Sequence, residues 1–433
     1  MKRRSWLVLL AVALSAVVAV TAATAGSGSK TKPAAKKAGT IEVLSLWGGS
    51  EKAAFLKVTA AFTKKTGTKV QYTTARDFEP AIRTRLAAGN PPDIAIIPRP
   101  GVLADLAKQG ALKDMAKLGL SNAYLSARYD AGLRQLVTFG GKVYGVPAKG
   151  NSKSLVWYRP DQFAKYKVKV PTSWTGLVAL TNTLRAKGQK PWAQGAKDSW
   201  TLTDWFENAY IRTAGPAKYT QLFTGKVKFT DASVKNALNK MLTILKSDNL
   251  PGGVQGALGT GFVDGIGRVF GAKPTAQLYL EGGFVGGIAT QQVNKKLKPG
   301  KTINSFPMPG ITTAKSGKYV VFGGDYASAF KDNSNVRAFL KYISSPEAGG
   351  IWVSTGAVIS PNKLVKIAKY PNLLVKNEAK QIAGAASVRF DGSDLLPGTL
   401  ADDWGSALQK IFEKPANMNT LLSDFQKKAD KEF

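Results

Sequence analysis

Three short segments carry side chains able to grip a polar small molecule, and each directly follows a strand pattern: Trp47-Gly48-Gly49-Ser50, Arg76-Asp77 and Pro98-Arg99-Pro100. An indole face stacks on the C–H face of a sugar ring, and guanidinium and carboxylate groups engage neighbouring hydroxyls in pairs. Further along, Lys153, Glu281 and Asp325-Tyr326 are candidates for bonding hydroxyls, while Trp200, Phe284 and Trp404 join Trp47 as candidate stacking platforms. Each has a plainer alternative. Large aromatics are usually core, and charged side chains usually lie on a solvated face or in a structural ion pair. Asp204 also suits a helix cap, and Asp93 suits the entry to a strand after Pro91-Pro92.

Other chemistry is pruned by what the chain lacks. Its 433 residues include no Cys and no His, which removes thiolate nucleophiles, thiolate or imidazole metal sites, disulfides and any Ser-His-Asp triad. Gly259-x-Gly261 continues to Asp264 and is no dinucleotide fingerprint, and no phosphate-binding loop or G-x-S-x-G elbow exists. Ser360-Pro-Asn-Lys363 and Lys65-Thr66-Gly67 occur in the reverse order for an acyl-enzyme Ser/Lys site. Asp391, Asp394, Asp402 and Asp403 match no calcium loop and read as solvated loop carboxylates. No metal or cofactor is expected. Paired glycosidase carboxylates come from distant positions, so a secreted glycoside hydrolase is the main enzymatic alternative.

The elements that would position these residues are legible from periodicity. Ile41–Trp47 is a strand ending in Gly48-Gly49; Lys52–Thr66 has apolar residues at helical spacing and stops at Gly67. Lys69–Thr73 is a strand, Phe78–Ala88 a helix closed by Gly89, Ile94–Ile97 a short buried strand, and Leu103–Gln109 a helix closed by Gly110. Alternating strands and helices predict an α/β fold with a mostly parallel sheet, whose ligands bind beyond the carboxyl ends of the strands. Leu155–Tyr158 reads as a strand crossing between domains, Gly252–Gly271 as an irregular glycine-rich loop, Val320–Phe330 as a strand, and Ala401–Phe412 as an amphipathic helix.

At the N-terminus, Lys2-Arg3-Arg4, an apolar run from Trp6 to Val20 and Ala23-Thr24-Ala25 form an export signal over residues 1–25; an uncleaved anchor is the alternative. Residues 26–39 have the composition of a flexible basic linker. The net charge is +33, from 61 Lys and Arg against 28 Asp and Glu. These cations are dispersed and no nucleic-acid-binding motif accompanies them, so no nucleic acid partner is expected.

Read in order, the pieces resemble one family. Arg76-Asp77-Phe78-Glu79, Gly89-Asn90-Pro91-Pro92-Asp93-Ile94-Ala95, Pro100-Gly101-Val102-Leu103-Ala104-Asp105-Leu106, Tyr144-Gly145-Val146-Pro147, Lys153–Tyr158, Thr203-Asp204-Trp205 and Arg389-Phe390-Asp391-Gly392-Ser393-Asp394-Leu395 are similar to the family 1 extracellular solute-binding proteins of ABC sugar importers, and most closely to the α-glucoside-binding members. The resemblance implies a two-lobed, periplasmic-binding-protein-like (type II) α/β fold with a multi-crossing hinge. Lobe 1 would take residues 40–150 plus 308–360, and lobe 2 residues 151–307 plus 361–433. It implies a receptor, not an enzyme, that closes on an α-glucoside or small oligosaccharide and docks on an ABC permease; a monomer is expected. In this family Trp404 would be a sugar-stacking residue. Arg99 stands where the α-glucoside subgroup tends to have a neutral polar residue, which leaves a receptor for an anionic solute as a further alternative.

Overall fold

The computed structural model describes residues 39–433. The expected export signal, and the linker up to residue 38, lie outside the described residues.

The chain opens with the expected alternation: β1 (Thr40–Ser45), α1 (Gly49–Thr66), β2 (Lys69–Thr74), α2 (Phe78–Ala87), β3 (Ile94–Ile97) and α3 (Pro100–Lys108). Helix α1 buries Ala54, Phe55, Val58 and Phe62 and stops where Gly67 takes a φ of 76°, its N–H donating to the Thr63 carbonyl. That left-handed turn costs glycine nothing. Pro100 opens α3 at a position whose N–H has no helical partner in any case.

Strand β1 lies between β2 and β3 and runs parallel to both, with Val43 opposite Tyr72 and Ile94. The hairpin β4 (Thr138–Phe139) and β5 (Lys142–Val143) leads to β6 (Val146–Ser152). After two residues the chain enters β7 (Leu155–Tyr158), which is the middle of a second sheet, antiparallel to β8 (Leu278–Glu281) and β9 (Asn304–Pro307). The crossing between sheets is therefore at Lys153-Ser154, just before the strand expected to make it.

The long β10 (Tyr319–Ala329) returns to the first sheet, antiparallel to β3 and β6 and parallel to β11 (Ser387–Phe390). This sheet is mixed. Consecutive strands joined by a helix are held parallel by the right-handed crossover, but β10 arrives after a long excursion and escapes that constraint.

Three hydrophobic cores fill the body. The first lies under the mixed sheet and holds Trp47, Phe55 and Trp352. The second holds Trp205, Phe206, Trp404 and Phe425, and the smaller third holds Trp157, Tyr279, Ile303 and Leu374. Helix α4 (Trp200–Phe223) spans the second core and bends at Gly215, φ 84°, ahead of Pro216.

The segment expected to be irregular, Gly252–Gly271, instead forms helices Gly253–Leu258 and Phe262–Phe270. Ile266, Val269 and Phe270 are buried, and burying that stripe outweighs the roughly 1 kcal/mol that each helical glycine costs. Helices α5 (Leu373–Ala383) and α6 (Leu400–Glu413) complete the elements used below. Among the described residues no helix is long and apolar enough to cross a membrane.

Candidate functional site

The polar interior gathers around the crossing, where two lysines each draw in more carboxylates than they can neutralise. Lys149 Nζ lies 2.8 Å from Glu51 Oε1, 3.3 Å from Asp325 Oδ2 and 4.7 Å from the Trp47 ring centre. Burial opposes its charge, but Glu51 and Asp325 outweigh burial and hold the ammonium above the usual lysine range.

Lys153 bonds Asp391, lies 3.1 Å from Asp204 and 3.8 Å from Asp394, and sits over Trp200 at 5.6 Å. Burial works against this ammonium too, and the three aspartates raise it further still. The surplus carboxyls respond in opposite ways. Asp391, although buried, is held down at about 2 by Lys153. Burial pushes Asp204 up to about 8 and Asp394 up to about 7, and lifts Glu207 and Glu281 well above the carboxylate range.

Helix α4 supplies much of this network, because Asp204, Asn208 and Arg212 recur every four residues on one face. Glu207 accepts the Gly392 and Ser393 N–H groups at 2.7 and 2.9 Å and bonds the Tyr219 hydroxyl. Asn208 donates to the Lys153 carbonyl at 2.7 Å. Glu281 ends β8 beside Asp204; among the described residues, neither of its oxygens nor Asp204 Oδ2 makes a hydrogen bond of good geometry.

Four of the sequence-predicted residues meet here. Trp200 is half-buried above Lys153, with Phe284 at 6.1 Å and Phe262 at 4.9 Å completing an aromatic group beside the Glu281 carboxyl. Asp325 belongs to the neighbouring Lys149 cluster. Ser50 is nearly buried, and its N–H faces Gln292 Oε1 at 3.4 Å. Arg76 and Asp77 are exposed, and the Arg76 guanidinium lies over Gly48, 2.8 Å from where a Cβ would be.

Other expectations are corrected. Trp404 is 0% exposed, packed 5.0 Å from each of Phe206, Phe229 and Phe425, so it is core and presents no stacking face. Trp47 is also buried, wedged among Phe55, Tyr72 and Trp352 with Lys149 over its ring. Tyr326 is a core residue 6.1 Å from Phe390.

Arg99, a candidate for bonding the ligand, takes the plainer alternative of a structural ion pair: it is engaged by Asp402 at 2.7 Å and by Glu79 and Asp394 at 3.5 Å. No charge is left over on it for an anionic ligand. Asp391 and Asp394 are not solvated loop carboxylates but members of the Lys153 network, and Asp204 is that network's helical member, not a cap. Asp93 accepts the Glu42 N–H at 2.8 Å and so ties β3 to β1.

Lys149, Glu51, Glu207 and Phe262 were not singled out from the sequence. The fourfold spacing of Asp204, Asn208 and Arg212, and the same interval between Lys149 and Lys153, are signals that would have pointed to the network.

The family model for bacterial extracellular solute-binding proteins matches residues 48–350. The osmoprotective compounds-binding protein GgtB of Synechocystis sp. is 32% identical over 365 residues, covering 83% of this chain and 85% of that protein. The alpha-glucosides-binding periplasmic protein AglE of Rhizobium meliloti is 31% identical over 377 residues, with 84% and 81% covered. Among solved structures, the bacterial solute receptor AcbH superposes with a TM-score of 0.81 at 20% identity over 91% of this chain and 99% of that one. Maltose-bound MalE3 of T. maritima gives 0.74 at 17% identity, with 92% and 100% covered. The two-sheet α/β architecture is thus the two-lobed type II periplasmic-binding fold, and the chain belongs to the bacterial extracellular solute-binding proteins.

Proposed function

We propose that this protein is an exported receptor that captures a small neutral saccharide, an α-glucoside or short oligosaccharide, and hands it unchanged to the permease of an ABC importer. The lobes we assign are residues 40–150 plus 308–360 and residues 151–307 plus 361–433, with the sugar held beside the Lys153 crossing. The observation that carries this reading is the half-buried Trp200 face, flanked by Phe284 and Phe262 and set against a carboxyl-rich network. Aromatic faces take the C–H side of a sugar ring and carboxyls take its hydroxyls. The relatives support the ligand class, since one is an alpha-glucosides-binding protein and another an osmoprotective compounds-binding protein.

A neutral ligand follows from the charges. Lys149, Lys153 and Arg99 each have two or three carboxyl groups within 4 Å, so none of them is left as an unpaired cation to draw in an anionic solute. The receptor acts as a monomer and performs no catalysis.

The test is the melting temperature of the purified chain against maltose, trehalose, sucrose, maltotriose, glucose, glucuronate and glucose phosphate. Binding at a hundredfold excess over Kd stabilises by about 2.7 kcal/mol, so a neutral glucoside should raise the melting temperature and be recovered intact. A rise confined to the acidic sugars would overturn the neutral-ligand reading, and a cleaved sugar would overturn the receptor reading.

A further inference from the structure

One surface combines free lysines with exposed aliphatic side chains. The loop before β9 carries Lys295, Lys296, Lys298 and Lys301, all exposed and none in an ion pair among the described residues. No Asp or Glu occurs anywhere between Gly282 and Gly324.

A second segment runs up to and into α5. It exposes Lys366, Lys369 and Lys376 and interleaves them with Leu364 at 47%, Ile367 at 57% and Leu373 at 44% exposure. Those three are the most exposed of the large aliphatic side chains among the described residues. Here too no carboxylate occurs from Ala348 to Asn377, and Glu378, the next, is buried with Oε1 accepting the Ser152 N–H.

The two segments are adjacent. A Cβ on Gly300 would stand 3.0 Å from Leu373 Cδ2, and Leu297, Ile303 and Leu374 share the third core beneath.

We infer that this face docks the protein on an anionic membrane surface. The argument is charge complementarity joined to apolar exposure. Unpaired lysines with no neighbouring carboxylate are attracted to an acidic leaflet over a Debye length. Aliphatic side chains set between them gain by entering the headgroup boundary, the arrangement by which peripheral segments hold to bilayers. Net positive charge elsewhere on the molecule adds a long-range attraction but not this geometry. Permanent contact with the membrane would keep a captured solute close to the transporter.

The test is cosedimentation of the chain from Gly39 onward, which holds every strand among the described residues and all three cores in one compact unit. Vesicles of equal parts phosphatidylcholine and phosphatidylglycerol are compared with pure phosphatidylcholine. Binding is expected only to the anionic vesicles and should fall as salt rises. K298Q/K301Q/K366Q/K369Q should weaken it by about tenfold or more, whereas K187Q/K190Q/K226Q/K228Q, which removes equal charge from elements of the second core, should change it little. I367S/L373S should weaken vesicle binding but leave binding to soluble polyglutamate unchanged. Unaltered melting of each variant confirms folding. Equal loss in both lysine variants would overturn the proposal in favour of diffuse charge. Insensitivity to I367S/L373S would overturn it in favour of an acidic polymer or an acidic protein surface.

Discussion

The Arg99 guanidinium donates to the Asp402 carboxylate over 2.7 Å, joining the carboxyl end of β3 to the first turn of α6, 303 residues later. The same guanidinium lies within 3.5 Å of Glu79 and Asp394. One cation thereby ties helix α2, the β11–α6 connection and α6 to the mixed sheet. Arg99→Gln would leave three carboxylates clustered without a counter-charge. We expect it to lower unfolding free energy by about 1–3 kcal/mol. Asp402→Asn removes a partner whose side chain is 58% exposed and should cost no more than about 1 kcal/mol. Denaturant midpoints at constant slope measure both, and an equal or larger effect at Asp402 would contradict this account.

Trp200 and Trp404 separate binding from packing. Trp404→Ala empties a site walled by Phe206, Phe229 and Phe425 and should cost about 3–5 kcal/mol of stability, with little effect on the affinity of the protein that remains folded. Trp200→Ala removes a half-exposed face and should weaken sugar binding by about tenfold or more, with only a small change in melting temperature. Calorimetric titration alongside thermal melts distinguishes the two patterns.

Stability should decline as pH rises from about 4.5 to about 8. Burial pushes the Glu378 carboxyl up to about 8, only partly offset by the Ser152 N–H that it accepts. Below its ordinary value of 4.5 the folded and unfolded chains both carry the proton. As pH climbs toward 8 the unfolded chain releases it and the folded chain does not, so stability falls. Asp204, Glu207 and Glu281 are raised by burial as well and act in the same direction. Asp391, held at about 2, acts oppositely, and its contribution is lost only in strong acid. Unfolding free energy should drop by at least about 1 kcal/mol between pH 5 and 8. Glu378→Gln, which keeps an acceptor for Ser152, should flatten part of that fall.

Gly101 sits in the first turn of α3, where a Cβ would lie 2.3 Å from the Leu396 carbonyl oxygen. Backbone cannot swing aside as a side chain can. Gly101→Ala should therefore force α3 from the 396 segment and cost about 1–3 kcal/mol, read as a lower melting temperature. Gly110→Ala makes a useful contrast. No atom lies within 4 Å of its Cβ position, and only its φ of 71° is unfavourable, so its effect should be smaller.

The sequence by itself determined the local elements: the stripe and glycine stop of α1, the existence of α3 before Gly110, the strand at Ile94–Ile97 and the amphipathic α6. Periodicity and capping act within a few residues, and those signals are complete in the chain. The order of its motifs was enough to place the chain in its family. Tertiary structure decided the rest. Whether Trp200 or Trp404 keeps a free face depends on which elements cover it. Likewise, Arg99 is bound and not free because Glu79, Asp394 and Asp402 arrive from three separate elements. Asp391 is ionised and Glu281 is not because Lys153 reaches one more closely than the other. Charge and burial are properties of neighbours in space, and here those neighbours stand up to hundreds of residues apart in the chain.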